Sequence, residues 1–380
     1  MNILFFTEIS PFPINGGERI RSYGLIKALS LLNYRVTAII QNKDSVNLSD
    51  FKIDNVHFIE FRLKKKSKIE KIFASHFFNK DSNVIRIFNK LLLKNNFDIV
   101  FLDYYLSGKY VTYFKKAKIP VIIGTHNVES KLIHQLPSKN IFHTFRNFHY
   151  YLWMKIHEFY YYKLADALIS VSDEDYNYYC KYLNPEKLFM IPNFLDELRY
   201  NKQLKRENYF IMTANFGAYM NFEGLKWLLT KVWNKKLDAN HTLLLVGKKS
   251  IESLEKLEDV VFDFKNVRSI GEVDDMVPYI LKAKAVFIPL LQGSGTRLKC
   301  LEAMALKTPI IGTSKGVEGI KSNHIIIADT VSEFRSKIHS FCFTEDIGEN
   351  LYKDFMHNYS LSVNNHRIKK MFAYLLRTKK

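Results

Sequence analysis

Cysteine is scarce. The 380-residue chain has three, Cys180, Cys300 and Cys342, scattered and odd in number. They offer neither a disulfide framework nor the spacing of a zinc site, which excludes the small disulfide-stapled class and points to a reducing compartment. No apolar run approaches the roughly 18 residues that a membrane-spanning helix needs. The start, Met1 to Glu8, has no basic segment ahead of an apolar one and meets an acid early, so no secretory leader is expected. Internal repeats and low-complexity segments are lacking. His143, His149 and His157 share one segment but without the tight spacing of metal ligands. Acid is the scarcer charge: 38 Asp and Glu against 56 Lys and Arg give a net charge of +18. Each half, 1–200 and 201–380, carries 28 basic and 19 acidic residues. So even a spread argues against a localised nucleic-acid arm and leaves an anionic membrane or a phosphorylated substrate as partners.

What is present is a regular alternation. Apolar runs at 2–7, 36–40, 56–61, 99–102, 121–123 and 167–171 read as buried strands, with helical patterns between several of them, such as Ile20, Tyr23, Ile26, Leu29 and Leu32. That order predicts a doubly wound α/β domain. A second series follows at 209–213, 243–246, 267–270, 286–290, 310–312 and 325–328. Between the series, Met190 to Arg206 turns polar and holds a proline, which marks a linker. The chain is long enough for two domains with full cores.

Three places carry chemistry. From Val286 to Thr313 an apolar strand runs into glycines and then into a helical spacing of Leu298, Leu301, Met304 and Ala305, predicting a helix from near Thr296 to about Leu306. A strand, a glycine turn and a helix start aim free backbone N–H groups at an anion. Arg297 and Lys299 in the first turn oppose the helix dipole unless a polyanion is bound there. An ordinary turn with solvated basic residues fits the same stretch. Gly16 and Gly17 follow the first strand and let backbone approach a ligand, or simply make a tight turn. His126 follows the 121–123 strand, where a histidine is either a structural hydrogen-bonder or a ligand-facing group. Asp173-Glu174-Asp175 has the spacing of a metal-holding pair, but Ser172 before it suits a helix cap and the acids suit a first turn; Asp274-Asp275 reads the same way.

The run Gly293-Ser294-Gly295-Thr296-Arg297-Leu298-Lys299-Cys300-Leu301-Glu302, continuing Ala303-Met304-Ala305 to Gly312-Thr313, resembles the nucleotide-sugar signature of the group 1 glycosyltransferases. The branch it resembles reads GGGTRLKxLEAMAxGxPVV. Gly316-Val317-Glu318-Gly319 and Ile325 to Asp329 resemble the same branch. The resemblance implies a retaining glycosyltransferase with the GT-B fold, two Rossmann-like domains facing across a cleft. Residues 1–192 would bind the acceptor and 193–358 the nucleotide sugar, and the 359–380 helix would cross back to the first domain. His-Asn-Val-Glu-Ser at 126–130 matches the family motif whose histidine faces the donor sugar, which makes His126 the catalytic candidate. Asn127 would fix the loop, while Glu129 could be a base but better suits a helix N-terminal acid or a solvated one. The implied donor-binding residues are Gly16, Gly17, Asn215, Gly247, Ser294, Gly295, Thr296, Arg297, Leu298, Lys299 and Glu302, the last through the ribose hydroxyls. Two departures stand out. The 215–221 loop, Asn-Phe-Gly-Ala-Tyr-Met-Asn, lacks the Arg and Lys that often hold the diphosphate, so that charge falls to Arg297, Lys299 and the helix N-terminus. Ser294 stands where the commoner signature has a first glutamate, which leaves donor identity open.

No metal or cofactor is expected, and the donor is a nucleoside diphosphate sugar. The acceptor implied is lipid-linked or a growing polysaccharide, in capsule or lipopolysaccharide synthesis, at the inner face of the cell membrane. Ile141 to Tyr162 mixes aromatics with cations and reads as either a membrane-facing or a core helix, and Leu63 to Ile69 is a basic loop that could meet anionic lipid. Alternatives are a GT-B epimerase or phosphorylase acting on nucleotide sugars, and, from another class, a basic nucleic-acid-binding protein, against which the even charge and missing motif count.

Overall fold

The computed structural model describes residues 1–14, 16–42, 46–63, 75–134, 141–200, 204–258, 264–292 and 297–377. The chain forms two compact units, Met1–Asn193 with Leu361–Lys380, and Phe194–Ser360. The predicted sites at Ser294, Gly295 and Thr296, and the basic loop from Lys64 to Ile69, lie outside the described residues.

In the first unit the order is β1 (Asn2–Thr7), α1 (Gly17–Leu31), β2 (Arg35–Gln41), β3 (Val56–Phe61), α2 (Ser82–Lys94), β4 (Ile99–Asp103) and α3 (Val111–Lys116). Then come β5 (Val121–Gly124), α4 (Glu129–His134), α5 (Ile141–Leu164), β6 (Ala167–Ser170), α6 (Asp173–Tyr179) and β7 (Leu188–Met190). The second unit holds β8 (Tyr209–Thr213), α7 (Tyr219–Trp227), α8 (Lys235–Asn240), β9 (Thr242–Val246), α9 (Ser250–Glu258), β10 (Val267–Gly271) and α10 (Val277–Lys282). It continues with β11 (Ala285–Ile288), α11 (Leu298–Ala305), β12 (Ile310–Gly312), β13 (Ile326–Ile327), α12 (Val331–Ser340) and α13 (Glu345–Asn358). The last helix, α14 (Leu361–Arg377), belongs to the first unit, where Phe372 stacks on Tyr34 and Tyr374 meets Phe189.

Both sheets are parallel throughout. The first has the order β3-β2-β1-β4-β5-β6-β7 and the second β10-β9-β8-β11-β12-β13. Each is the doubly wound order in which the chain reverses direction across the sheet beside its first strand, between β1 and β4 and between β8 and β11. In such sheets ligands lie outside the strand carboxyl ends at that reversal. Strands covered on both faces must be apolar along their length, which is why they read as unbroken runs. Aromatic rings pack within both cores. Phe6, Phe88 and Tyr110 meet edge to face at 5.1–5.4 Å in the first core, and Phe210 stacks on Phe287 at 4.6 Å in the second.

The expected elements are present with shifted ends. The strand expected to reach Leu290 stops at Ile288, before Pro289, and the 325–328 run shortens to two residues. β7 was not expected; it is an edge strand with only Leu188 of its three residues buried, so it lacks an apolar run bounded on both sides. The helix expected from Thr296 begins at Leu298, with Arg297 as its cap residue rather than in its first turn. Ser172 caps α6 by accepting from the Asp175 N–H at 3.1 Å, with three acids in the first turn. Asp275 likewise accepts from the Val277 N–H at the start of α10.

Candidate functional site

In the first unit, chemistry gathers at the ends of β4 and β5. The parallel register sets Asp103 beside Gly124. A Cβ on Gly124 would sit 3.2 Å from Asp103 Oδ1, so the glycine leaves room for that carboxylate to lie over β5. Thr125 anchors the next turn, bonding the Ile169 carbonyl through both its N–H and its hydroxyl. His126 then places Nε2 at 2.9 Å from Asp103 Oδ1, with both side chains buried. The Ser22 hydroxyl donates to Asp103 Oδ2. Burial would raise the Asp103 carboxyl, but the charge and hydrogen bond of His126, the Ser22 hydroxyl and the Arg21 guanidinium hold it below its usual range. An ionised Asp103 accepts from Nε2–H, which fixes the tautomer and leaves Nδ1 as the imidazole's other polar atom.

The surrounding residues are strained or shifted. Tyr104, immediately after Asp103, has φ 77° and ψ 142°, close to a region that costs a non-glycine residue about 1–3 kcal/mol and that recurs at functional sites. Its ring meets His126 edge to face at 5.5 Å and tilts against Tyr105 at 4.4 Å. Glu129 opens α4 as an N-terminal acid, but it is not solvated as expected: it is half-buried, and burial pushes its carboxyl up to about 8. Glu158, fully buried on α5, accepts from the N–H and the hydroxyl of Ser130 at 3.2 and 2.6 Å, and burial raises it to about 7. Buried Arg21 donates to Asn193 Oδ1 at 3.0 Å, and burial lowers it to about 10. Gly16, with φ 107°, precedes α1; no atom lies within 4 Å of where its Cβ would be, so backbone conformation rather than crowding requires glycine there. Gly17 is the exposed first residue of α1.

In the second unit, α11 brings Arg297, Leu298, Lys299 and Glu302 onto one or two turns beyond β11, at that sheet's reversal. Arg297 is buried, donates to the Lys315 carbonyl at 3.3 Å and lies 3.9 Å from Glu318; burial lowers its pKa. Lys299 reaches Asn221 Oδ1 at 3.3 Å, and burial brings it down to about 8. Burial pushes the Glu302 carboxyl up, although the Tyr200 hydroxyl donates to its Oε1 at 3.3 Å. Asn215 is exposed and organises the loop before α7: its Oδ1 accepts from Gly217 N–H and its carbonyl from Asn221. Gly247 has its own structural reason, because a Cβ there would lie 2.1 Å from the Ala214 carbonyl oxygen, an impossible contact. The 215–221 loop has no cation of its own, yet Lys249 folds onto it: its Cδ lies 2.8 Å from where a Gly217 Cβ would be. A positive charge therefore stands beside that loop, supplied by the turn after β9.

The structure thus brings Arg297, Leu298, Lys299 and Glu302 together in the second unit and puts His126 in a dyad in the first. Sequence reasoning missed Asp103, Ser22, Tyr104, Tyr200 and Lys249. For Asp103 alone there was a signal: a single acid closing an otherwise apolar strand.

Residues 15–199 match the family model of glycosyltransferase family 4, and residues 207–342 that of the glycosyl transferases group 1. Among solved structures, sucrose-phosphate synthase from Thermosynechococcus elongatus shares the fold with a TM-score of 0.76 at 15% identity, over 99% of both chains. Anabaena HepE in complex with UDP-glucose aligns with a TM-score of 0.68 at 13% identity, over 98% of this chain and 99% of that one. A 44.6 kDa protein in the cps region of Klebsiella pneumoniae is 28% identical over 140 residues, which span 34% of this chain and 36% of that relative.

Proposed function

Its two halves belonging to glycosyltransferase family 4 and to the group 1 glycosyl transferases, we propose that this GT-B enzyme moves a sugar from a nucleoside diphosphate to a lipid-linked or growing polysaccharide acceptor. The observation that carries this is the cluster of Arg297, Lys299 and Glu302 where β11 gives way to α11. Two cations drawn from water beside a helix start suit a diphosphate. A carboxylate one turn further along suits a pair of vicinal ribose hydroxyls. HepE, which shares the fold, was crystallised with UDP-glucose, which favours a nucleotide-sugar donor here, and the cps-region relative favours capsule synthesis.

In this reading the diphosphate charge is met by Arg297, Lys299, Lys249 and the N-terminus of α11, with no metal ion or cofactor. His126 attends the donor sugar. With Nε2 tied to Asp103, the imidazole presents Nδ1 in a fixed orientation. It orients hydroxyls and offsets charge developing at the anomeric centre rather than attacking it. Transfer proceeds with retention at that carbon, at the inner face of the cell membrane.

A thermal-shift panel of uridine, guanosine, adenosine and thymidine diphosphate sugars tests this. A ligand that binds only the folded chain raises its Tm, so at least one nucleotide class should stabilise the protein. A chain that none of them stabilises contradicts the reading.

A further inference from the structure

Helix α5 faces two environments. Its inner side is buried through Asn147, Met154, His157, Glu158, Tyr161 and Tyr162. Its outer side carries Ile141, Phe145, Phe148, Leu152, Ile156 and Phe159, which are 41–86% exposed. These positions fall at successive intervals of three and four residues, so they line one continuous stripe about 27 Å long at 1.5 Å per residue. Scattered exposed apolar residues are ordinary, but a contiguous stripe of this length marks an interaction surface.

The charges on the same helix say what it meets. Arg146, Lys155 and Lys163 are exposed along it, while its one acid, Glu158, is buried. Lys163 lies over the Phe159 ring at 5.5 Å and Lys155 over Tyr151 at 5.6 Å. Among the described residues of α5, then, the outer face holds apolar side chains and cations and no carboxylate. A second copy docked on this stripe would bring like charges together with nothing on the helix to neutralise them. Anionic lipid headgroups complement both features, the cations at the phosphates and the rings in the boundary beneath. No helix among the described residues is long and apolar enough to cross a membrane, so the contact is with a surface.

We infer that α5 docks the first unit on an anionic lipid bilayer through the stripe from Ile141 to Phe159 and its flanking cations. The inner face of the same helix grips both loops of the candidate site. His157 places Nδ1 2.8 Å from the Phe77 carbonyl and Nε2 2.9 Å from the Tyr105 carbonyl, and Glu158 holds the start of α4 through Ser130. Docking therefore sets the loops that carry Tyr104 and His126 at a bilayer surface. The use of that placement for a lipid-linked acceptor rests on the glycosyltransferase reading; the docking itself does not.

The test is co-sedimentation of the full chain with vesicles of phosphatidylglycerol and phosphatidylcholine, and with vesicles of phosphatidylcholine alone. The wild type is expected on the anionic vesicles, with partition falling as salt rises. Phe145→Ser with Phe148→Ser, and separately Arg146→Gln with Lys155→Gln and Lys163→Gln, should each lower partition at least about tenfold. Circular dichroism and Tm should stay unchanged, because every replaced side chain is exposed. Equal binding to both vesicle types, no binding by the wild type, or wild-type partition of both variants would overturn the inference. So would a wild-type dimer that the Phe variant dissociates, which assigns the stripe to a second copy. Nucleotide affinity measured on the same preparations separates the two proposals: intact affinity without vesicle binding rejects docking alone, and docking without any nucleotide affinity rejects the enzyme reading alone.

Discussion

Asp103 Oδ1 lies 2.9 Å from His126 Nε2, joining the carboxyl ends of two adjacent parallel strands. The pair makes His126 more than a loop histidine, because a buried ionised carboxylate fixes the orientation of the ring. His126→Ala should lower kcat by about a hundredfold or more, the usual scale for losing a positioned polar group in a transition state. Nucleoside diphosphate affinity should change little. Asp103→Asn should reproduce most of the loss, since the amide keeps shape but not charge. Tm and kcat measured on one preparation decide the matter: a destabilised variant with normal turnover per folded molecule would make the pair structural.

Lys299 supplies a pH signature. Burial lowers it to about 8, so the free site loses this positive charge as pH rises through that value. Nucleoside diphosphate affinity, read by calorimetry from about pH 7.5 to pH 9.5, above the ligand phosphate's own titration, should weaken as pH rises past about 8. In Lys299→Gln affinity should be weak throughout and the break should vanish. An unchanged break in the variant would assign the titration elsewhere.

Tyr200 donates to Glu302 Oε1 in a site where burial already raises that carboxyl. Tyr200→Phe removes a bond that favours the charged form, so the carboxyl should climb further and accept hydroxyls less well. Nucleoside affinity should therefore fall, because a protonated carboxyl accepts hydroxyls less well than a carboxylate. Calorimetric titration checks this, with a wild-type Kd counting against the Tyr200–Glu302 contact.

Glu129 makes the opposite kind of prediction, about stability. Its folded pKa, about 8, is raised by burial above the usual carboxylate value. Between pH 4.5 and pH 8 the folded chain therefore binds more protons here than the unfolded one. The contribution of this group is fully present below the unfolded pKa and is lost as pH rises through the folded one. Glu129→Gln should flatten that part of the Tm profile, gaining on the wild type as pH approaches 8. Parallel Tm curves across this range would contradict the assignment.

The strands were legible because burial on both faces imposes apolar runs; β7 was not, being an edge strand with only Leu188 buried. Arg297 and Lys299 stood out in the sequence because they are local, following closely on two glycines, whereas Glu302 was singled out only through the family resemblance. The dyad was half legible. His126 stood out by its position after a strand, but its partner is 23 residues away, and only the β4–β5 register and the small Gly124 bring Asp103 to it. Lys249 was illegible for a similar reason, since it reaches back to a loop that α7, α8 and β9 separate from it. Glu129 misled because an acid opening a helix is ordinarily solvated, and nothing local shows that α5 folds over it.

The central claim is that α11 and its approach hold a nucleoside diphosphate. Calorimetry with the nucleoside diphosphate of the best donor, on wild type, Arg297→Ala, Lys299→Ala and Glu302→Gln, tests it most directly. Each substitution removes a charge-assisted contact of about 1.5–3 kcal/mol, so each variant should bind roughly ten- to a hundredfold more weakly. Wild-type affinity in all three would place the nucleotide elsewhere and contradict the account.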